Sequence, residues 1–149
     1  MSFSEDVKRF CVKAKGDMNV VSRQVAFQLF YKVILRTPVG NPSLWKSKAA
    51  KGYVGGRARN NWNVSISPQP SAGVARKADA SGTAAMNRML SDLGKWNPAQ
   101  SSVVWLANGL PYMSRLEYEG WSSQAPDGMV RVSLGEIKVQ GVGKARAMK

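Results

Sequence analysis

Glu117 and Glu119 are the closest carboxylate pair in the stretch Asn108–Arg131, NGLPYMSRLEYEGWSSQAPDGMVR. Two carboxylates can divide acid and base work across a substrate, as in glycoside hydrolysis. Residues two apart do not face each other across a substrate unless the chain bends sharply, and no other acid is near enough in sequence to help. The expected roles are salt bridges to cations of a neighbour, or a cap on local backbone. The other reactive candidate is Cys11. It stands alone, so it forms no internal disulfide, and its place beside Phe10 reads as a small core side chain. Histidine is absent. That removes His-based triads, His general bases and His-ligated metals together. There is no nucleophile elbow, no dinucleotide fingerprint, and no phosphate-binding loop at Gly55-Gly56-Arg57. Neither an enzyme nor a bound cofactor is expected.

The charge points elsewhere. Across 149 residues the chain carries 22 basic and 9 acidic groups, a net +13, which favours a polyanionic partner. Residues 37–60 hold five cations and no acid, whereas residues 101–136 have a net charge of −2. In the basic segment Lys46, Lys48, Lys51, Arg57 and Arg59 are interleaved with Trp45 and Tyr53. That mixture can pair with phosphates and stack on bases, or it can be a solvated loop with its rings tucked inward. No signal-peptide core and no run of roughly 18 apolar residues is present, so no membrane contact is expected.

The elements that must position these groups make one domain, residues 1–149. Its expected parts are a long helix over 1–36, an extended basic loop over 37–60, an α+β core over 61–137 and a flexible tail over 138–149. Phe3, Val7, Phe10, Ala14, Met18, Val21, Val25 and Leu29 recur every three or four residues, the stripe of an amphipathic helix. Gly16 and Asp17 could break it into two. A continuous helix would outrun the core of so small a domain, and such a helix often packs on a neighbouring subunit. Pro38 ends it. Trp62, Val64 and Ile66 alternate with polar residues, giving a half-buried strand over 61–67. Residues 68–80 read as a mobile, turn-rich segment. A helix over 81–93 stops at Gly94, with Ala85, Met89 or Leu90, and Leu93 inward. A strand follows over 103–107, then a short helix over 111–117. From Asp127 either a capped helix or a strand fits, and Gly141 and Gly143 release the basic tail. Two helices packed on a small, mostly antiparallel sheet make the fold class α+β.

Two groups of residues carry a family resemblance. One is Thr37-Pro38-Val39 followed by Gly56-Arg57-Ala58-Arg59-Asn60-Asn61-Trp62. The other is Asn108, Leu110-Pro111-Tyr112, Leu116-Glu117-Tyr118, Gly120-Trp121-Ser122, Gln124-Ala125-Pro126 and Gly128-Met129-Val130-Arg131. Together, over roughly residues 4–137, they resemble the neck or tail-completion proteins of long-tailed bacteriophages. Two departures stand out. Gly40 to Val54 intervene where the family runs almost directly from Thr-Pro-Val to Gly-Arg, and Glu119 intervenes where Gly would follow Glu-Tyr.

The resemblance implies a structural subunit without an active site, made in the host cytoplasm and carried in the virion. It would form a homo-oligomeric ring, typically a hexamer, between the head-closure or adaptor ring and the tail terminator or tail tube. Genomic DNA would pass through the channel. On this reading Trp62, Tyr112, Tyr118 and Trp121 are packing anchors that close the fold. Lys46, Lys48, Lys51, Arg57 and Arg59 would meet Glu117 and Glu119 of the next subunit or ring, and Lys144, Arg146 and Lys149 would face DNA. The alternative is a basic nucleic-acid-binding module using residues 45–59.

Overall fold

The computed structural model describes residues 3–101 and 103–147. Side chains are described within that range except at 3, 4, 6–8, 10, 11, 14, 15, 17 and 140–147. The fold is α+β, with five α-helices and a two-stranded antiparallel sheet among the described residues.

Helix α1, Phe3–Arg36, runs unbroken through Gly16. Its 34 residues span about 51 Å at 1.5 Å each. Its C-terminal third enters the core. Ala26, Phe30, Val33 and Ile34 are buried there, with Phe27 and Leu29 partly so. These positions follow the 3.6-residue period and form one inward stripe. Thr37 ends the helix in a fully buried position, and its hydroxyl donates to Val33 O at 2.8 Å.

The short helix α2, Arg57–Asn60, leads into strand β1, Trp62–Ser65. Gly56 starts α2 at φ +104°, and a Cβ there would collide with the Asp79–Ala80 backbone. Both facts restrict the position to glycine. Helix α3, Thr83–Gly94, buries Ala85, Met89 and Leu93 and leaves Leu90 51% exposed, which decides for Met89 as the inward residue. Asp79 holds the start of α3 by accepting the Ala84 N–H at 2.9 Å. Strand β2, Trp105–Asn108, pairs antiparallel with β1 in the register Trp62↔Asn108 to Ser65↔Trp105. Helix α4, Met113–Tyr118, follows, and then α5, Val130–Ala147.

Helix α5 settles the helix-or-strand alternative at 130–137 as helix. Its backbone continues helically to Ala147, across much of the range read as a tail. It packs antiparallel on the end of α1. Glu136 pairs with Lys32 at 2.7 Å and with Arg36, and the Arg36 guanidinium also donates to Ser133 Oγ. Those hydrogen bonds hold the Glu136 carboxyl below its usual pKa, Lys32 contributing most.

The segment 68–80 contains no helix or strand, yet it is tied down. Asn60 donates to Lys77 O at 2.8 Å, and Asn61 clamps Arg76 through both its amide N and its amide O. Asn63 bonds Ala72 O and the Arg76 guanidinium. Side-chain amides thus replace the strand ladder that this stretch lacks.

Candidate functional site

The resemblance residues form an internal lattice. Arg59 extends its guanidinium to three carbonyls: Thr37 O at 3.0 Å, Ala80 O at 2.7 Å and Leu35 O at 2.9 Å. It therefore closes the C-terminus of α1, where the last carbonyls lack helical partners, and a cation there suits the helix dipole. Trp62, buried against α1, donates its indole N–H to Thr37 Oγ1 at 2.7 Å. Arg88 reaches Asn60 O at 2.6 Å, and Asn108 donates to Ala58 O at 2.8 Å. Arg59 is thus committed inside its own subunit, which corrects its expected role in a contact between subunits.

Of the two roles expected of Glu117, the structure shows the backbone cap. Glu117 is 6% exposed. Its Oε2 accepts the N–H groups of Met129 at 2.7 Å and Val130 at 2.9 Å, and Oε1 accepts that of Arg131 at 3.0 Å. These are the orphan donors at the start of α5, so Glu117 caps that helix from twelve to fourteen residues upstream. The Arg131 guanidinium adds a 3.4 Å ion pair with Oε1 and a bond to Glu117 O. Burial pushes the Glu117 pKa up, but the three backbone N–H groups and Arg131 outweigh it and hold the pKa below the usual value. Gly128, at φ +88°, makes the approach possible, since a Cβ would come within 2.6 Å of Glu117 O. Asp127, the residue expected to cap this helix, is exposed.

The aromatic corner is more open than expected. Tyr118 is 70% exposed and Trp121 58%, so neither is a buried anchor. Each ring instead carries an arginine: Arg131 lies 5.1 Å from the Tyr118 centroid and Arg115 5.4 Å from that of Trp121. Tyr112 is half-buried and tilts on Trp121 at 6.4 Å. Burial raises its hydroxyl pKa, with the Arg57 charge acting in the opposite direction and the Tyr53 phenol reinforcing burial.

The basic loop lies beside this corner. Gln124 holds both polar groups of Val39, donating to its carbonyl at 2.7 Å and accepting its N–H at 3.1 Å. That bond joins the two resemblance motifs. The loop closes on itself through an edge-on pair of Trp45 and Tyr53, 4.8 Å apart, above Gly40. Lys46, Lys48, Lys51 and Arg57 point into solvent, and Glu119 is exposed nearby in the corner. The start of the basic loop and the corner are therefore in contact within one subunit.

The other open surface lies on α1. Ahead of Ala26, three described apolar side chains of the stripe are exposed: Met18 68%, Val21 56% and Val25 42%. Phe3, Val7, Phe10, Ala14 and Cys11 have side chains outside the described residues, as do the three cations assigned to DNA, Lys144, Arg146 and Lys149. A shallow, open groove of about 270 Å³ runs between α1 and α3, lined by Arg23, Gln24, Phe27, Leu90, Leu93 and Gly94. Among the described residues no group of three acidic, Cys or His side chains could hold a metal ion, and no described helix is long and apolar enough to cross a membrane.

Comparison with protein-family models, with curated proteins and with solved structures found no match in any of the three.

Proposed function

We propose that this chain is a structural subunit of a bacteriophage head–tail connector. In this role it forms a homo-oligomeric ring, joins the head-closure ring to the tail and lines the DNA passage. The observation that carries the reading is the exposure of three stacked apolar side chains on α1, Met18, Val21 and Val25. Apolar side chains stacked on one exposed side of a helix suit a molecule that works assembled. The internal lattice supports the same reading. Residues of both resemblance motifs, Arg59, Asn60, Asn61, Trp62, Glu117 and Gln124, bond to their own subunit, as expected of a fold signature rather than a reactive site.

Deleting the gene from the phage genome that carries it should leave DNA-filled heads and complete tails lying separate in the lysate, seen by electron microscopy. Supplying the protein in trans should join them. Normal joined particles without it would overturn the reading. In that event, tight binding of a labelled single-stranded oligonucleotide, steeply weakened by salt, would move the assignment to a nucleic-acid-binding module using residues 45–59.

A further inference from the structure

The loop between Gly40 and Gly55 is closed on itself. Asn41 Oδ1 accepts the Ser43 N–H at 3.1 Å at the start of a single turn, Pro42–Leu44, and the Tyr53 N–H donates to Ala50 O at 3.1 Å. Gly40 and Gly55 touch across its base, where a Cβ on Gly55 would come within 2.3 Å of Gly40 O. A loop held shut in this way presents its side chains without having to order them on binding.

What it presents has two parts. Leu44 and Val54, each 65% exposed, adjoin the exposed Trp45–Tyr53 pair in sequence and make an apolar centre. Interspersed with them are Lys46, Lys48, Lys51 and Arg57, none of which makes a hydrogen bond or an ion pair among the described residues. Arg36, Arg59 and Arg88, by contrast, are bonded inside the subunit. Aromatic and aliphatic side chains at the centre of a contact, with cations about them, suit a protein partner whose surface is acidic.

The chain does not supply that surface itself. Glu117 is committed to the start of α5, and the exposed acids of the corner, Glu119 and Asp127, are matched by the exposed Arg115 and Arg131. Glu136 and Asp92 are ion-paired, and Asp79 holds the start of α3. Over residues 1–17 four cations outnumber three acids. Nucleic acid fits less well than protein. Leu44 and Val54 neither pair with phosphates nor stack on bases, and at 63° and 4.8 Å the Trp45 and Tyr53 rings meet edge to face, which covers part of the surface a base would need.

We propose that residues 44–57 are a docking surface for an acidic face of a different protein. Leu44, Trp45, Tyr53 and Val54 form the apolar centre of the contact, and Lys46, Lys48, Lys51 and Arg57 pair with the partner's carboxylates. This goes beyond the connector reading, which gives the loop no role, and does not rest on it.

The test titrates the full chain into three fluorescein-labelled probes, followed by anisotropy: a random copolymer of glutamate and tyrosine, polyglutamate, and a single-stranded oligonucleotide. The copolymer should bind at least about tenfold more tightly than polyglutamate. Lys46→Ser with Lys48→Ser and Lys51→Ser should weaken it at least about tenfold, and so should Leu44→Ser with Val54→Ser. Lys13→Ser with Lys77→Ser and Lys138→Ser removes the same charge from exposed sites elsewhere and should leave binding within about twofold. Circular dichroism melting confirms that each variant folds. Equal binding of the two polymers would reduce the loop to a patch of charge. An oligonucleotide bound as tightly as the copolymer, and indifferent to the Leu44 and Val54 changes, would make it a nucleic-acid contact. Either result, a loop-lysine variant no weaker than the distant one, or a copolymer that does not bind would overturn the proposal.

Discussion

Replacing Glu117 with alanine is expected to destabilise the fold by about 3 kcal/mol, the range for losing several hydrogen bonds to a buried charged acceptor. For a chain of this length that is a fall in Tm of roughly 6–12 °C. The variant orphans the N–H groups of Met129, Val130 and Arg131 and removes the Arg131 ion pair. Helix α5 then loses its anchor to α4. Glu119→Ala, two residues away and exposed, should stay within about 0.5 kcal/mol. Because the folded pKa of Glu117 is depressed, its contribution is present above the unfolded value, about 4.3, and is lost as pH falls through the folded value. Urea midpoints followed by tryptophan fluorescence should thus drop more steeply below about pH 4.3 for the unaltered protein than for Glu117→Gln. Equal slopes would contradict the capping role. Charge reversal at Glu117 would damage the fold before any interface, so a test of contacts between subunits belongs at Glu119.

Trp62→Ala should cost about 4 kcal/mol and Trp62→Phe about 1 kcal/mol. The first leaves a cavity between β1 and α1 where a buried ring stood. The second keeps most of the packing and deletes one bond, the indole N–H to Thr37 Oγ1. The Thr37 hydroxyl still donates to Val33 O, so what remains is a half-used acceptor rather than an orphaned donor. The same urea titrations measure both. A Phe variant as costly as the Ala variant would mean that the bond, not the packing, holds the junction.

Much of the architecture was legible in the sequence because it rests on local periodicity. The three-and-four spacing marks α1, the stripe of Ala85, Met89 or Leu90, and Leu93 marks α3, and the alternation around Trp62 marks β1. What was missed depends on long-range partners. A backbone cap is among the roles expected of Glu117, but no local pattern marks its partners, which lie twelve or more residues on. The polar residues 68–80 looked free because their hydrogen bonds go to Asn60, Asn61 and Asn63, outside the segment. The resemblance makes Tyr118 and Trp121 anchors of a fold-closing corner. Each instead carries an arginine on its face and remains at the surface. The three-and-four stripe marks α1 as a helix but not its buried face: Ala26, Phe30, Val33 and Ile34 lie roughly 130° around the axis from Met18, Val21 and Val25.

The connector assignment is tested most directly by counting and locating this chain in purified virions, by quantitative mass spectrometry together with cryo-electron microscopy of the neck. The account predicts one ring's worth of copies per particle, as a single layer between head and tail, with α1 against the adjacent subunit. Absence from purified virions, or copies distributed along the tail or over the capsid, would contradict it.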